Sequence, residues 1–80
     1  MSKLKFKIVT PERVAYEDEV DGVIIPTTEG QITVLPGHIP LASLLTAGEL
    51  IVKKNNSEVA LDVSGGFIEV APGNQLTILA

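Results

Sequence analysis

Glu29-Gly30-Gln31-Ile32-Thr33-Val34-Leu35-Pro36-Gly37-His38-Ile39-Pro40-Leu41 is the stretch on which the reading of this chain turns. A glycine opens it, Gln31 to Leu35 have a strand-like composition, and Pro36-Gly37 is a dipeptide that marks a turn. His38, the one histidine of the sequence, follows at once, and the ring of Pro40 biases Ile39 toward an extended backbone. A rigid, sharply bounded loop therefore divides the chain near its middle.

Toward the N-terminus, Val20 to Ile25 reads as a strand almost continuous in apolar residues. Gly22 within it marks a bulge or a close backbone approach, and Pro26-Thr27-Thr28 closes it. Before it lie the acids Glu17-Asp18-Glu19, a restarted alternation at Val14 and Tyr16, and a first strand in which Leu4, Phe6 and Ile8 alternate with Lys3, Lys5 and Lys7. Toward the C-terminus, Leu41 to Thr46 suits a short helix or a strand. Pro40 and Gly48 leave little length for a helix, so a strand or irregular edge is expected. Glu49 to Lys54 and Glu58 to Ser64 form a hairpin around Asn55-Asn56-Ser57, residues that tolerate positive backbone angles. Gly65-Gly66 makes a corner, Phe67 to Ala71 a short strand, Pro72-Gly73-Asn74 a turn and Gln75 to Leu79 a last strand. Eight to ten short strands without a clear helix indicate an all-β fold, an antiparallel sandwich or flattened barrel, in one domain spanning residues 1–80.

Composition narrows the function. Ten acids against six bases leave a net charge of −4, which disfavours nucleic acid and anionic membrane surfaces as partners, because both attract basic fields. There is no cysteine, so disulfides, thiolate metal sites and cysteine nucleophiles are excluded together. With one Tyr, two Phe and no Trp, the core must be aliphatic. No apolar run is long enough to insert into a bilayer.

The candidate chemistry is thin. His38 could act as a base or ligand, yet no second histidine or cysteine completes a metal set. Glu17, Asp18, Glu19 and Asp21 could in principle hold calcium, but they lack the glycine and closing glutamate of a loop site; an edge-protecting charge run is the simpler reading. Ser64-Gly65-Gly66 lacks the lysine and helix of a phosphate-binding loop and reads as a sheet corner. The Lys3, Lys5 and Lys7 stripe is one wet sheet face. No catalytic residue, cofactor or metal is expected.

Several segments together resemble a known family. Val9-Thr10-Pro11-Glu12, Thr28-Glu29-Gly30, Leu35-Pro36-Gly37-His38 with Pro40-Leu41, Gly48-Glu49-Leu50, Ser64-Gly65-Gly66-Phe67-Ile68-Glu69-Val70 and Leu76-Thr77-Ile78-Leu79-Ala80 are similar in order and spacing to the N-terminal domain of F-type ATP synthase epsilon subunits. The resemblance implies a flattened antiparallel β-sandwich of two five-stranded sheets at the foot of the central rotor stalk. It implies docking to the gamma subunit on one side and to the polar loops of the c-ring on the other, with no chemistry of its own. On that reading the domain helps couple proton flow to ATP synthesis. It would lie at the cytoplasmic face of a bacterial inner membrane, as a peripheral part of the F1 sector. By the same resemblance His38 and Ser43 face gamma, and Glu29, Gly30 and Gln31 face the ring.

Two departures bear on this. Many bacterial relatives have glutamate where this chain has Gln31, leaving Glu29 as the anion of the loop. Family members also continue into a C-terminal helical hairpin, whereas this sequence stops at Ala80, so neither nucleotide binding nor helical autoinhibition is expected of it. Two other readings stay open at this point: a free-standing sandwich that binds a small ligand such as a sugar, and a minimal enzyme pairing His38 with Asp62 or Glu69.

Overall fold

A computed structural model describes residues 3–38 and 40–80, and every regular element among them is a strand. The strands are β1 (Leu4–Val9), β2 (Val14–Val20), β3 (Gly22–Thr27), β4 (Gly30–Val34), β5 (Leu41–Leu45), β6 (Gly48–Lys54), β7 (Ser57–Val63), β8 (Gly66–Ala71) and β9 (Gln75–Leu79). They hydrogen-bond in the order β2-β1-β9-β8-β5-β3-β6-β7, with β4 on the other side of β3. The path folds over where β5 meets β3, joined by the single pair Thr27 and Leu45. One layer thus holds β2, β1, β9, β8 and β5, and the other β4, β3, β6 and β7. Among the described residues nine strands stand where the resemblance implies ten.

The strands are stacked so that their ends gather at two poles. The upper pole carries Lys3, Asp21, the turns at Pro36–His38, Asn55–Asn56 and Pro72–Asn74, and the end of β6. The lower pole carries Thr10–Arg13, Thr28–Glu29, Thr46–Ala47 and Ser64–Gly65. One strand pair departs from the antiparallel expectation. β1 and β9 run parallel, from Lys5 beside Gln75 to Val9 beside Leu79. They come from opposite ends of the chain, so no tight turn dictates their relative direction.

The alternation written in the sequence becomes the core. Leu4, Phe6, Ile8, Val20, Val23, Ile25, Val34, Leu50, Val52, Ile68, Leu76 and Ile78 point inward and are buried. All but Phe6 are aliphatic, and Phe6 meets the half-buried Tyr16 with ring centroids 5.5 Å apart. Each such side chain contributes about 1.5–3 kcal/mol on full burial, so the period-2 pattern alone fixes which face of each strand turns inward.

The acidic run Glu17-Asp18-Glu19 lies in β2, a strand at the end of the sheet order, where β1 sets Lys7 opposite Glu17 and Lys5 opposite Glu19; opposite charges across a strand pair are favourable. Pro26 does not end β3, which runs on to Thr27. β6 leaves β3 after Ile24, and β5 joins it only at Thr27, so the missing N–H of Pro26 faces the gap between them. The Pro26 carbonyl there accepts the N–H of Thr46 at 3.1 Å. β5, expected as a strand or irregular edge, is a strand paired along its whole length with β8 and joined to β3 at Leu45.

Of the two readings of Gly22, close approach is the one realised. It is buried, and a β-carbon there would lie 2.8 Å from Leu35 Cδ2, while its pairing with Lys53 keeps the same register as the β3 and β6 pairs that follow. The hairpin closes as expected: Asn55 and Asn56 have φ of 51° and 65°, and Lys54 pairs with Ser57.

Candidate functional site

His38 sits at the upper pole, half-buried, with its N–H donating to the Leu35 carbonyl at 3.0 Å. That bond closes the turn through Pro36 and Gly37, whose φ of 87° favours glycine. The Gly37 N–H donates to Asn74 Oδ1 at 2.8 Å, and the Asn74 carbonyl accepts the Lys5 N–H at 2.8 Å. The turn before β5 is thereby tied to the turn between β8 and β9. The expectation that Ile39 is extended lies outside the described residues. Ser43 lies in β5 opposite Ile68, half-buried on the side that also carries Leu41 and Leu45.

Glu29, Gly30 and Gln31 form the opposite group, an exposed tip at the lower pole. Thr27 is buried beneath it. Its hydroxyl donates to the Gly30 carbonyl and accepts the Glu29 N–H at 3.2 Å. Gly30 has φ of 118°, which a residue with a β-carbon rarely adopts. Ile32 to Leu35 separate this tip from the Pro36–His38 turn, roughly 17 Å of extended chain from Gln31 to Pro36. The candidate residues therefore fall into two groups, with His38 and the tip at opposite poles and Ser43 between.

The acids near the upper pole are already engaged. Lys54 Nζ donates to Asp18 Oδ2 at 2.7 Å, and Lys3 Nζ donates to Asp21 Oδ1. The other Asp21 oxygen accepts the Asn55 N–H at 2.8 Å. The Lys54 bond, reinforced by the Glu19 N–H, holds the Asp18 carboxyl below its usual range, and the same bond raises Lys54. Lys3 and the Asn55 N–H do the same for Asp21. Among the described residues no group of three His, Cys, Asp or Glu side chains could hold a metal ion. This is ion pairing across strands, and the calcium reading finds no cage.

The acids named as partners for His38 lie on opposite outer faces of the sandwich. Glu69 projects from the outer face of the first layer between Ala42 and Thr77, and Asp62 from the outer face of the second opposite Glu49. Gly65 and Gly66, with φ of 130° and 141°, turn the chain into β8 as a corner. A shallow hollow of about 280 Å³ at the upper pole is walled by Asp21, Lys53, Lys54, Asn56, Ser57 and Glu58 and contains no aromatic side chain on which a sugar could stack. Among the described residues, no helix is long and apolar enough to cross a membrane.

One surface escaped the sequence reading. Leu44 pairs with Phe67, Phe67 with Leu79, Leu79 with Val9 and Val9 with Val14. These five residues form a row across the outer face of the first layer, just above the lower pole. Leu44, Phe67, Leu79 and Val14 are 41–55% exposed. No linear window shows such a row, because it exists only once five strands are in register.

Residues 3–80 match the family model for the ATP synthase Delta/Epsilon chain beta-sandwich domain. The chain belongs to this family. The ATP synthase epsilon chain of Alkalihalophilus pseudofirmus is 49% identical over 80 residues, covering all of this chain and 59% of the relative. That of Chloroflexus aggregans is 46% identical over 77 residues, 96% of this chain and 55% of the relative. The chain therefore spans between 55% and 59% of the length of these epsilon chains. In fold, it superimposes with a TM-score of 0.92 on a chain of the Euglena gracilis mitochondrial ATP synthase OSCP/F1/c-ring structure. That match has 23% identity and covers 100% of this chain and 51% of the other. A chain of the Tetrahymena thermophila mitochondrial ATP synthase central stalk/c-ring gives 0.77 at 22% identity, covering 98% and 63%. Both share the sandwich architecture of the epsilon family.

Proposed function

We propose that this domain is a non-catalytic coupling part of the central stalk of a proton-translocating ATP synthase, gripped by two partners at its two poles. The segment from His38 to Ser43 docks the gamma subunit, and the tip formed by Glu29, Gly30 and Gln31 meets the polar loops of the c-ring. Family membership along residues 3–80 supports the assignment. The observation that carries the two-partner reading is that the Glu29 tip and the His38 turn lie at opposite ends of β4, a strand paired with β3 along its whole length. A sandwich whose inward side chains are all committed to packing can transmit torque without deforming, since close-packed interiors resist compression. It acts at the membrane as a peripheral component, with no nucleotide bound by the sandwich itself.

The test is gamma capture by immobilised domain. His38→Asp combined with Ser43→Arg should abolish capture while Glu29→Lys with Gln31→Lys leaves it intact and instead uncouples reconstituted proton pumping. A thermal melt of each variant separates lost docking from lost folding. Undiminished gamma capture by a folded His38→Asp, Ser43→Arg protein removes the assignment of that pole.

A further inference from the structure

Pro36 and Gly37 occupy the two central positions of the turn that the His38 N–H closes on the Leu35 carbonyl. Proline at the first of these suits type I and type II turns alike, and glycine at the second accepts either. The two types differ by a half-rotation of the peptide plane between Pro36 and Gly37. That rotation reverses the direction of the Gly37 N–H and leaves the closing bond in place, so the turn is a two-state element. The φ of 87° at Gly37 is the type II value.

What selects that state lies far along the chain. The Gly37 N–H donates to Asn74 Oδ1 at 2.8 Å, across 37 residues of sequence. Pro36 has no N–H, so the Gly37 N–H is the donor that a flip of the peptide would turn away from its acceptor.

Asn74 is itself held in place. Its φ of 59° is a left-handed backbone that asparagine tolerates better than most residues. Its carbonyl accepts the N–H of Lys5 in β1 at 2.8 Å, and Ala71 pairs with Gln75 on either side of its turn. The side chain is half-buried and springs from a backbone fixed on both sides, which makes it a rigid acceptor. The turn that presents His38 is thereby registered against β1, β8 and β9 of the first layer, although its own chain arrives from β4 in the second.

We propose that Asn74 is a positioning residue for the gamma-docking segment: by accepting the Gly37 N–H it holds the Pro36–Gly37 peptide in its type II orientation and so fixes where His38 stands. The inference rests on the docking role given above to His38 and Ser43. Asn74 acts without touching gamma. It raises the fraction of molecules whose turn already has the binding geometry, and apparent affinity scales with that fraction.

The test compares Asn74→Gly and Asn74→Asp with the parent 80-residue chain. Glycine adopts the same φ without strain and keeps the carbonyl bonded to Lys5, so Asn74→Gly removes the side-chain acceptor alone. Asn74→Asp restores an acceptor of the same reach. In the free protein, the nuclear Overhauser contact between the Pro36 α-proton and the Gly37 N–H, short in a type II turn and long in type I, should weaken in Asn74→Gly and return in Asn74→Asp. Affinity for purified gamma should fall about fivefold to tenfold in Asn74→Gly, the scale of one lost hydrogen bond that holds a conformer. Asn74→Asp should recover most of it. A merely structural role would lower the melting temperature of Asn74→Gly and leave the affinity of the folded protein where it was. Equal gamma affinity of folded parent and folded Asn74→Gly therefore overturns this inference alone and leaves the docking segment standing. So does a loss that Asn74→Asp fails to restore, or a Pro36–Gly37 contact unchanged in Asn74→Gly. If the parent captures no gamma, the docking reading falls and takes this inference with it. Should Asn74→Gly not fold, Asn74→Ser, whose hydroxyl stops one bond short of Gly37, decides in its place.

Discussion

The upper pole of the sandwich is held by charges and a capping asparagine, the lower by glycine geometry and one buried hydroxyl. At the upper pole Lys3, Lys54, Asp18 and Asp21 are paired, and Asn74 clasps the Gly37 turn. At the lower pole Gly65 and Gly66 turn the chain at φ of 130° and 141°, Thr27 ties the Glu29 tip, and an apolar row stays exposed. The two ends of the same strands are thus stabilised by forces that differ in range, in sensitivity to salt and in tolerance of substitution.

Glycine to alanine substitutions give the sharpest contrast. A β-carbon at Gly66 would lie 2.3 Å from the Leu79 carbonyl oxygen, a backbone atom that cannot move aside. Gly66→Ala should therefore cost about 3 kcal/mol or more, the range of strained backbone combined with overpacking. Gly37 has open space around it, so Gly37→Ala meets only the cost of a left-handed backbone, about 1–2 kcal/mol. Urea denaturation of the two variants measures both, and equal losses would erase the distinction between the poles. Next in size is Thr27→Val, which strands the Glu29 N–H and the Gly30 carbonyl at the tip. It should cost about 1–3 kcal/mol and accelerate amide exchange at Glu29 more than at Gly37.

The upper pole responds to pH instead. Asp18 and Asp21 have folded pKa values below their unfolded ones, so their contribution is complete above the unfolded value and disappears as pH falls through the folded one. That window lies below about pH 4. Lys54 is raised, so its contribution is complete below the unfolded lysine value and is lost as pH climbs through the folded one, above about pH 10.4. Asp18→Asn should flatten both limbs of the melting temperature against pH, and 1 M salt should flatten them further, because exposed pairs are screened. Steepness unchanged by Asp18→Asn would mean that other carboxylates govern acid unfolding.

The strands were legible because each keeps the period of two: Leu4, Phe6 and Ile8, or Leu50 and Val52, state their inward face outright. Turns were legible where glycine, proline or paired asparagines demand particular backbone angles, as at Pro36-Gly37 and Asn55-Asn56. What stayed hidden is what depends on pairing between distant segments. Pro26 ends a strand by local rule, yet here β5 and β6 share one side of β3 and leave a gap where its missing N–H faces no partner. Glu17-Asp18-Glu19 reads as an edge-protecting charge run and does lie on an edge strand, but its partners Lys5 and Lys7 show only once β1 is beside it. The parallel contact of β1 with β9 joins the two ends of the chain and leaves no mark on either. Of the candidate site, the Glu29 tip and the His38 turn were readable from their glycines. The half-buried, inward side of Ser43 and the row from Leu44 to Val14 were not, since both need the register of β5 against β8.

That row yields the smallest expected effect on stability and the most direct evidence about what the lower pole is for. Leu44 and Leu79 are 55% and 48% exposed, so each already meets water in the folded state and little transfer free energy is lost on replacement. Leu44→Ser with Leu79→Ser should alter unfolding free energy by no more than about 0.5 kcal/mol per site. Binding of a dye that reports exposed apolar surface should fall at the same time. If the double variant instead loses well over 1 kcal/mol, the row belongs to the internal packing and the lower pole is stabilised much as the core is. If stability holds and dye binding drops, these side chains contribute nothing to the fold that carries them, and the row is a contiguous exposed apolar patch rather than part of the core.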